Sequence, residues 1–398
     1  MVEKVTLREY FGLKRPGFVL IPESDFECYA ARCEEKSLLL NRIQAAYDVE
    51  SAPRLLIWGV YGGGKTHTEF FVGNTLLKEY GNDFAYIVCP DLDKGATFLE
   101  LYKEIINQIE LQIGKIRDLL RRYLLKVGDA KFAVFFANQD TANVCSNFLS
   151  TAESTENATR AWRWLSGEQV SPSEAISLGA RGALSPRDAV KFLIKIGDMH
   201  SEITNRKIVL LIDECEKIGQ NVKDSYSLGT FETAFREISE EFQKSLGFIV
   251  ACTAADYDAV GLPFNSAAVS TRIGEGNFIQ ISLLTNEELK PFITDLLKYV
   301  VDSKEKEKKI QSLKEQGVSV DDDYFPFTEE AIKRVATYAE EDIGRKTPRV
   351  ISDLLNDAAT EAKKLAKNLI DEEAVSLAIA SQAKAPRPSA IPRRRRGS

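Results

Sequence analysis

The sequence predicts an α/β fold, with a parallel sheet that is interrupted by a helical insertion and followed by a small all-helical domain. Four apolar runs, "RLLIW", "AYIV", "IVLLI" and "FIVAC", are short enough and apolar enough to be buried strands. A glycine-rich turn and a helical pattern separate the first two runs. A strand–helix–strand order requires a crossover, and therefore a parallel sheet.

The elements follow one another in an order that divides the chain into four parts. Residues 1–50 form an N-terminal segment with helical spacing of apolar residues, and 51–283 form the α/β domain. Residues 110–205 are polar and helical without a strand pattern, which indicates an insertion into that domain. A long amphipathic helix is predicted from Ala96 to Gly128. A helical domain at 284–383 begins with capping-type sequences, and 384–398 are a basic, disordered tail.

Composition excludes several classes of protein. The chain has 398 residues, of which 44% are hydrophobic and 28% charged, so it can bury a large core and is not disordered as a whole. No apolar run approaches the roughly 18 residues of a membrane-spanning helix. The N-terminus also lacks a secretory signal. We therefore expect a cytoplasmic protein without a membrane partner.

Charge and cysteine content exclude two further classes of protein. The net charge of −7 excludes a uniformly basic protein that coats nucleic acid, although Arg393–Arg396 form a local basic patch. That patch is either a phosphate-binding arm or a solvated, vector-derived remnant. The six cysteines form no CxxC pair, and only two histidines are present, so buried free thiols are expected instead of a zinc site.

The stretch "GVYGGGKTH" at 59–67 satisfies the phosphate-loop pattern G-x-x-x-x-G-K-[ST] directly after the first apolar run. Glycines let consecutive backbone N–H groups converge on phosphate oxygens, and the following helix directs its N-terminal dipole at the anion. In this pattern Lys65 contacts the β- and γ-phosphates and the Thr66 hydroxyl binds Mg²⁺. We predict that ATP and Mg²⁺ are held by Gly59, Gly62, Gly63, Gly64, Lys65, Thr66 and His67.

The run "IVLLIDE" supplies the residues that hydrolysis requires. It predicts a buried strand that ends in two carboxylates, Asp213 and Glu214. Asp213 would complete the Mg²⁺ shell, and Glu214 would orient and polarise the attacking water. Adjacent residues of a strand point to opposite faces, so the two carboxylates can take different roles. An acidic surface turn after a core strand is the alternative.

Three more residues are candidates for contacting the γ-phosphate. Thr253 ends the run "GFIVACT", where its side chain either senses the nucleotide or only caps the strand. Arg272 lies beyond the last predicted core strand. Arg349 follows Pro348, which suits an early position in a helix. An arginine supplied to a γ-phosphate is worth about 10³ to 10⁵ in rate. Ordinary surface positions are the alternative for both arginines.

The order of these motifs resembles the AAA+ ATPases, in particular the branch of origin-recognition and replication-initiator ATPases. In that resemblance "GVYGGGKTH" is similar to the Walker A loop and "IVLLIDE" to the Walker B strand. The stretch "ACTAADYDAVGLPFNSAAVSTRIG" is similar to the sensor 1 strand and arginine-finger region, and "GRKTPRVISDLLNDA" to the sensor 2 helix. The likeness covers about 30–110 and 205–380. It implies that Arg349 contacts the γ-phosphate within its own subunit and that Arg272 reaches a neighbouring subunit.

Other features resemble different branches or depart from the pattern. The region from "WRWLSGE" to "LLIDECEKI" is similar to ATP-binding proteins of bacteriophage-exclusion defence systems, and "REYFGL" to transposition and secretion ATPases. Sensor 1 is usually asparagine, so Thr253 leaves that role open. No winged-helix module is recognised after the helical domain, so we expect no sequence readout of DNA by this chain alone.

These expectations combine into three functional hypotheses. The first is an ATP-hydrolysing AAA+ homo-oligomer that acts on DNA-associated assemblies, in defence or mobile-element biology. Its nucleotide would lie between the α/β domain and the helical lid. The second is an ATP-dependent binding switch with little turnover that recruits a nuclease or other effector protein. The third is a DNA-loading or remodelling motor whose tail and insertion contact the duplex.

Overall fold

The computed structural model describes residues 5–136, 138–240 and 244–384, and the chain forms two compact units. The sheet unit contains residues 33–61 and 65–282, and the helical unit contains 5–32, 62–64 and 283–384 of the described chain. The basic patch Arg393–Arg396 lies outside the described residues.

A five-stranded parallel sheet organises the sheet unit, in the order β2-β3-β4-β1-β5. This confirms the predicted fold class, and the first four strands coincide with the four apolar runs. The fifth strand was not predicted, so Arg272 precedes the last strand instead of following it. The strands are β1 (Arg54–Gly59), β2 (Asp83–Val88), β3 (Ile208–Asp213), β4 (Leu246–Thr253) and β5 (Phe278–Gln280).

The register of the sheet brings chemically important residues to one edge. Gly59, the last residue of β1, pairs with Thr253, the last residue of β4. Val88, the last residue of β2, pairs with Asp213, the last residue of β3. Because parallel strands end at the same side of a sheet, ligands of open α/β proteins bind along this carboxyl edge.

Helices surround the sheet and form the insertion. Two short helices, α1 (Leu7–Phe11) and α2 (Pro22–Asp25), precede the sheet unit and belong to the helical unit. The helices of the sheet unit are α3 (Cys33–Asp48), α4 (Lys65–Tyr80), α5 (Phe98–Gln112), α6 (Ile116–Val127), α7 (Asp129–Phe135), α8 (Gln139–Ser150), α9 (Glu156–Leu165), α10 (Pro172–Ser177), α11 (Pro186–Thr204), α12 (Glu216–Asn221), α13 (Ser225–Ile238) and α14 (Ala267–Ile273).

The single long helix predicted across 96–128 is wrong, because α5 ends at Gln112 and α6 begins at Ile116. Gly114 between them has a φ of +152°, which glycine adopts without a steric penalty. The insertion and the sheet share one hydrophobic core. Trp164 in "WRWLSGE" is 2% exposed in that core, and its indole N–H donates a 2.8 Å hydrogen bond to Gly182 O.

The helical unit combines the two ends of the described chain. The sequence indicated a separate segment at 1–50, whereas the structure packs 5–32 with the C-terminal helices and assigns α3 to the sheet unit. Phe18 is fully buried in this core, and its N–H donates to Asn356 Oδ1 at 3.3 Å. The C-terminal helices are α15 (Asn286–Val300), α16 (Ser303–Glu315), α17 (Glu329–Glu340), α18 (Pro348–Lys364) and α19 (Glu372–Lys384).

The predicted helix starts of this unit are confirmed by their caps. Thr285 and Glu288 form a reciprocal capping box at α15, and the Thr328 hydroxyl accepts from Ala331 N at α17. Pro348 is the first residue of α18. Within the described residues, none of the helices has the length and apolar character needed to cross a membrane.

Candidate functional site

The phosphate loop joins β1 to α4 with the backbone geometry that its glycines permit. Gly62 and Gly64 have φ values of +74° and +99°, a region that other residues adopt only with strain. Gly59 is required for a different reason, because a Cβ there would lie 2.4 Å from Ile281 O. The glycines at 62 and 64 therefore shape the loop, while Gly59 lets β1 approach the end of the neighbouring strand.

Lys65 begins α4 and carries a buried positive charge. Its ammonium donates hydrogen bonds to Gly59 O and Val60 O, both at 3.1 Å, and the residue is 7% exposed. Burial lowers the pKa of Lys65, and the negative charges of Glu216 and Asp213 oppose that effect. An ammonium has three donors, and two are used here on neutral carbonyl groups. The third is available for an anion such as a phosphate.

The structure brings the two predicted Mg²⁺ ligands together. Thr66 Oγ1 donates to Asp213 Oδ2 at 2.5 Å, at the carboxyl end of β3. The hydroxyl of Tyr86 donates to the same oxygen at 3.1 Å, and Glu214 N donates to Asp213 Oδ1 at 2.7 Å. Sequence reasoning missed Tyr86, since nothing marks one tyrosine within an ordinary buried strand. Its bond restrains the carboxylate in the direction of Thr66.

This pair fits Mg²⁺, which is usually held by one or two protein oxygens together with substrate phosphates and waters. Asp213 and Thr66 supply one carboxylate and one hydroxyl oxygen, the hard donors that this ion prefers. Across the part of the chain that the structure describes, no three His, Cys, Asp or Glu side chains are grouped as a metal cluster. A tightly held structural transition metal would need such a cluster, whereas Mg²⁺ with a triphosphate does not.

Glu214 leaves the strand in an unusual conformation. Its φ of +58° is left-handed, which is uncommon for a residue with a side chain. Glu214 Oε2 lies 2.8 Å from Lys217 Nζ, which also bonds Asp91 Oδ1 and Cys89 O, each at 3.0 Å. Burial by itself lowers the pKa of Lys217, but the hydrogen bonds to Glu214 and Asp91 have the larger combined effect. The pKa of Lys217 is therefore raised to about 12. All three donors of this ammonium are used, so Glu214 is held beside the end of β2.

Two further carboxyl groups near Lys65 were not predicted. Glu216 Oε2 accepts a 2.8 Å hydrogen bond from the backbone N–H of Thr253 at the end of β4. Glu69, one turn after Lys65 in α4, is fully buried, and neither carboxyl oxygen has a partner among the described residues. Burial and then the charge of Asp213 raise the pKa of Glu69 well above its ordinary value. Burial therefore favours the neutral form of Glu69 beside the site.

The remaining predicted residues lie on three helices. His67 is half-buried in the first turn of α4. Arg272 is exposed near the end of α14, where its guanidinium donates to Ala268 O at 2.9 Å. Arg349 is exposed in the first turn of α18, within the helical unit, one turn before Asp353. The sheet unit thus brings together Lys65, Thr66, Asp213, Glu214 and Thr253, whereas Arg349 belongs to the other unit.

Comparison with known proteins identifies the fold. No family profile matches the sequence, and no curated protein matches it either. The ORC2 protein of Aeropyrum pernix, in ADPNP–ADP complexes, is 12% identical with a TM-score of 0.50 over 88% of this chain and 68% of its own. The A. pernix ORC1 protein in complex with DNA is 12% identical, with a TM-score of 0.42 over 88% of this chain and 65% of its own. The Thermotoga maritima RuvB branch migration motor is 13% identical, with a TM-score of 0.42 over 92% and 73%.

This chain has a parallel five-stranded sheet followed by a helical C-terminal region. The match shows that the chain has a fold similar to that of the A. pernix ORC2 protein, as its motif order predicted.

Proposed function

We propose that this protein binds and hydrolyses ATP with Mg²⁺. The observation that carries the proposal is the meeting of three groups at the carboxyl edge of the sheet. The glycine loop presents Lys65 with an unused donor, and Thr66 and Asp213 adjoin each other at 2.5 Å. The A. pernix ORC2 protein, whose fold is similar, was solved in ADPNP–ADP complexes, which supports the choice of an adenine nucleotide.

In this mechanism each residue acts on the nucleotide by charge and position. Lys65 neutralises the β- and γ-phosphates, and Thr66 and Asp213 would hold Mg²⁺, which supplies Lewis acidity at the transferred phosphoryl group. Glu214 orients the attacking water, and Thr253 contacts the γ-phosphate. Arg349 contributes charge from the same subunit and Arg272 from a neighbour, as the AAA+ resemblance implies.

The test of this proposal separates binding from turnover. Glu214→Gln keeps the size of the side chain and removes its charge, so ATP binding is expected to survive while turnover falls at least about 100-fold. Lys65→Ala is expected to lose ATP binding itself. Calorimetric titration with ATP and a phosphate-release assay measure the two effects. Full turnover by Glu214→Gln, or no ATP binding by the wild-type protein, contradicts the proposal.

We further propose that the protein works as a homo-oligomer with DNA-processing partners, in anti-phage defence or mobile-element biology. The exposed position of Arg272 supports catalysis across subunits. A mixture of Arg272→Ala and Glu214→Gln subunits tests this. An Arg272→Ala subunit keeps Glu214 in its own ATP site, and a neighbouring Glu214→Gln subunit can supply Arg272 to that site. The mixture should therefore turn over ATP faster than either variant alone. A rate equal to the average of the two places Arg272 within its own subunit or outside the site.

A second candidate function is an ATP-dependent switch that turns over little ATP and recruits an effector protein. The ion pair between Glu214 and Lys217 favours it, because Lys217 occupies Oε2 of the carboxylate that would otherwise contact the attacking water. Negligible turnover by the wild-type protein, with the same oligomer size in ATP and in a non-hydrolysable analogue, would establish the switch. Sustained Mg²⁺-dependent turnover would exclude it.

A further inference from the structure

We propose that Glu216 is a positioning residue that holds the end of β4, and with it Thr253, in place beside the phosphate loop. The inference rests on the proposed ATPase function and adds a residue to it. Glu216 is the first residue of α12, directly after the acidic pair Asp213 and Glu214. Nothing in the sequence distinguishes it from a surface glutamate in a helix.

The first observation is a backbone donor that the sheet leaves without its usual acceptor. In a strand, alternate residues direct their N–H and C=O groups to the same neighbour. Ala251 O accepts from Cys215 N on the β3 side, so the N–H of Thr253 faces that side too. Strand β3 has already ended at Asp213, and the chain has turned into α12. Glu216 Oε2 takes the place of the missing strand carbonyl at 2.8 Å.

The second observation is a hydrogen bond made by Ala254, the residue after Thr253, on the opposite side of β4. Ala254 N donates to Gly59 O at 3.1 Å, and the same oxygen accepts from Lys65 Nζ at 3.1 Å. Two consecutive N–H groups at the end of β4 are therefore held on both sides, one by the phosphate loop and one by Glu216. Without Glu216, the N–H of Thr253 would lose its acceptor on the side of β3.

The chemistry of the acceptor strengthens this attachment. A carboxylate is a stronger acceptor than a carbonyl oxygen, and a backbone N–H left without an acceptor in a half-buried place is unfavourable. The carboxylate of Glu216 also places a negative charge near the buried ammonium of Lys65, whose own hydrogen bonds go to neutral carbonyl groups. The Thr253 hydroxyl makes no hydrogen bond to a described residue, which leaves it available for a ligand.

The experiment compares two substitutions of Glu216 with a matched control. Glu216→Ala removes the acceptor and is expected to lower kcat for ATP at least about tenfold, with KM changed less than about threefold, because a displaced group costs up to about 100-fold in rate. Glu216→Gln retains an acceptor oxygen and is expected to restore most of kcat. Gln220→Ala, an exposed change in the same helix, should leave both constants unchanged. Thermal unfolding establishes that each variant is folded.

A double-mutant comparison tests whether Glu216 acts through Thr253. Thr253→Val removes the hydroxyl at nearly constant volume and is expected to lower kcat by itself. Adding Glu216→Ala to that variant should lower kcat by less than about twofold more, since both changes remove the same contact. A purely structural role for Glu216 would lower stability without this dependence between the two effects.

Several results would overturn the inference while the proposed function stands. One is a wild-type kcat for Glu216→Ala, and another is an equal loss of kcat in Glu216→Gln and Glu216→Ala. The others are an unchanged kcat for Thr253→Val and independent effects of the two substitutions on kcat in the double mutant. If Glu216→Ala does not fold, the Gln variant and Thr253→Val still decide. Failure of the wild-type protein to hydrolyse ATP refutes the proposed ATPase function instead and is detected first.

Discussion

Thr66 and Asp213 are 147 positions apart in sequence, and yet the hydroxyl of Thr66 donates to the carboxylate of Asp213 at 2.5 Å. Thr66 is the second residue of the helix after β1, and Asp213 is the last residue of β3. The contact exists because parallel strands present their carboxyl ends at one edge of the sheet. It places a hydroxyl and a carboxylate where a single Mg²⁺ could be held by both.

We predict that Asp213→Asn removes the contribution of Mg²⁺ to ATP binding. The change keeps the shape of the side chain but removes its charge, so the affinity for ATP with Mg²⁺ should fall at least about tenfold. Calorimetric titrations with Mg²⁺ and with a chelator measure the difference. Asp93→Asn, an exposed substitution after β2, serves as the control. An undiminished Mg²⁺ effect in Asp213→Asn would rule out this ligand.

Glu69 predicts a pH dependence of stability. Burial and then Asp213 raise its pKa well above 4.5 in the folded chain, so the folded state keeps a proton that the unfolded state loses. The folded state then binds more protons, and the free energy of unfolding falls as pH rises above about 4.5, by at most about 1.4 kcal/mol per pH unit.

Glu69→Gln mimics the neutral acid and cannot ionise. We therefore expect that the free energy of unfolding of this variant does not fall in the same way as pH rises. Its stability relative to the wild-type protein should then increase with pH. Denaturant unfolding at several values between about pH 5 and pH 8 measures it. Glu232→Gln, on the half-buried side of α13, should follow the wild-type curve. Parallel curves for the wild-type protein and Glu69→Gln would show that Glu69 is ionised in the folded state.

Two glycines should respond to alanine in opposite ways. A Cβ at Gly59 would lie 2.4 Å from Ile281 O, so Gly59→Ala should lower the free energy of unfolding by about 1–3 kcal/mol. Gly229 lies within α13 with open space around its Cβ position. Gly229→Ala should therefore raise stability by about 0.5–1 kcal/mol. Denaturant midpoints measure both changes, and destabilisation by Gly229→Ala would contradict the geometry.

The cysteines should differ sharply in reactivity. Cys33 is exposed, whereas the other five are buried. Burial raises the pKa of Cys28 and of Cys89 to about 12, so these thiols are not thiolates at neutral pH. A colorimetric thiol reagent should titrate one group rapidly in the folded protein and six after unfolding. Cys33→Ser should abolish the rapid phase, and rapid reaction of two or more thiols would contradict the burial.

Much of this molecule was predictable because its signals are local. The apolar runs identified β1 to β4, the glycines indicated the loop before Lys65, and Pro348 indicated the start of α18. Each depends on properties within a few residues, such as burial of a short strand, the φ freedom of glycine and the missing N–H of proline. Strand β5 was missed because its three residues are too few to form a recognisable apolar run.

The sequence by itself determined the order of strands and helices, the phosphate loop and the acidic residues after β3. The tertiary structure alone decided which side chains meet, including Tyr86 with Asp213, Lys217 with Glu214 and Glu216 with Thr253. It also decided that 5–32 pack with the C-terminal helices and that Glu69 is buried without a partner. These contacts depend on strand register and helix packing across long separations, which no local pattern of residues encodes.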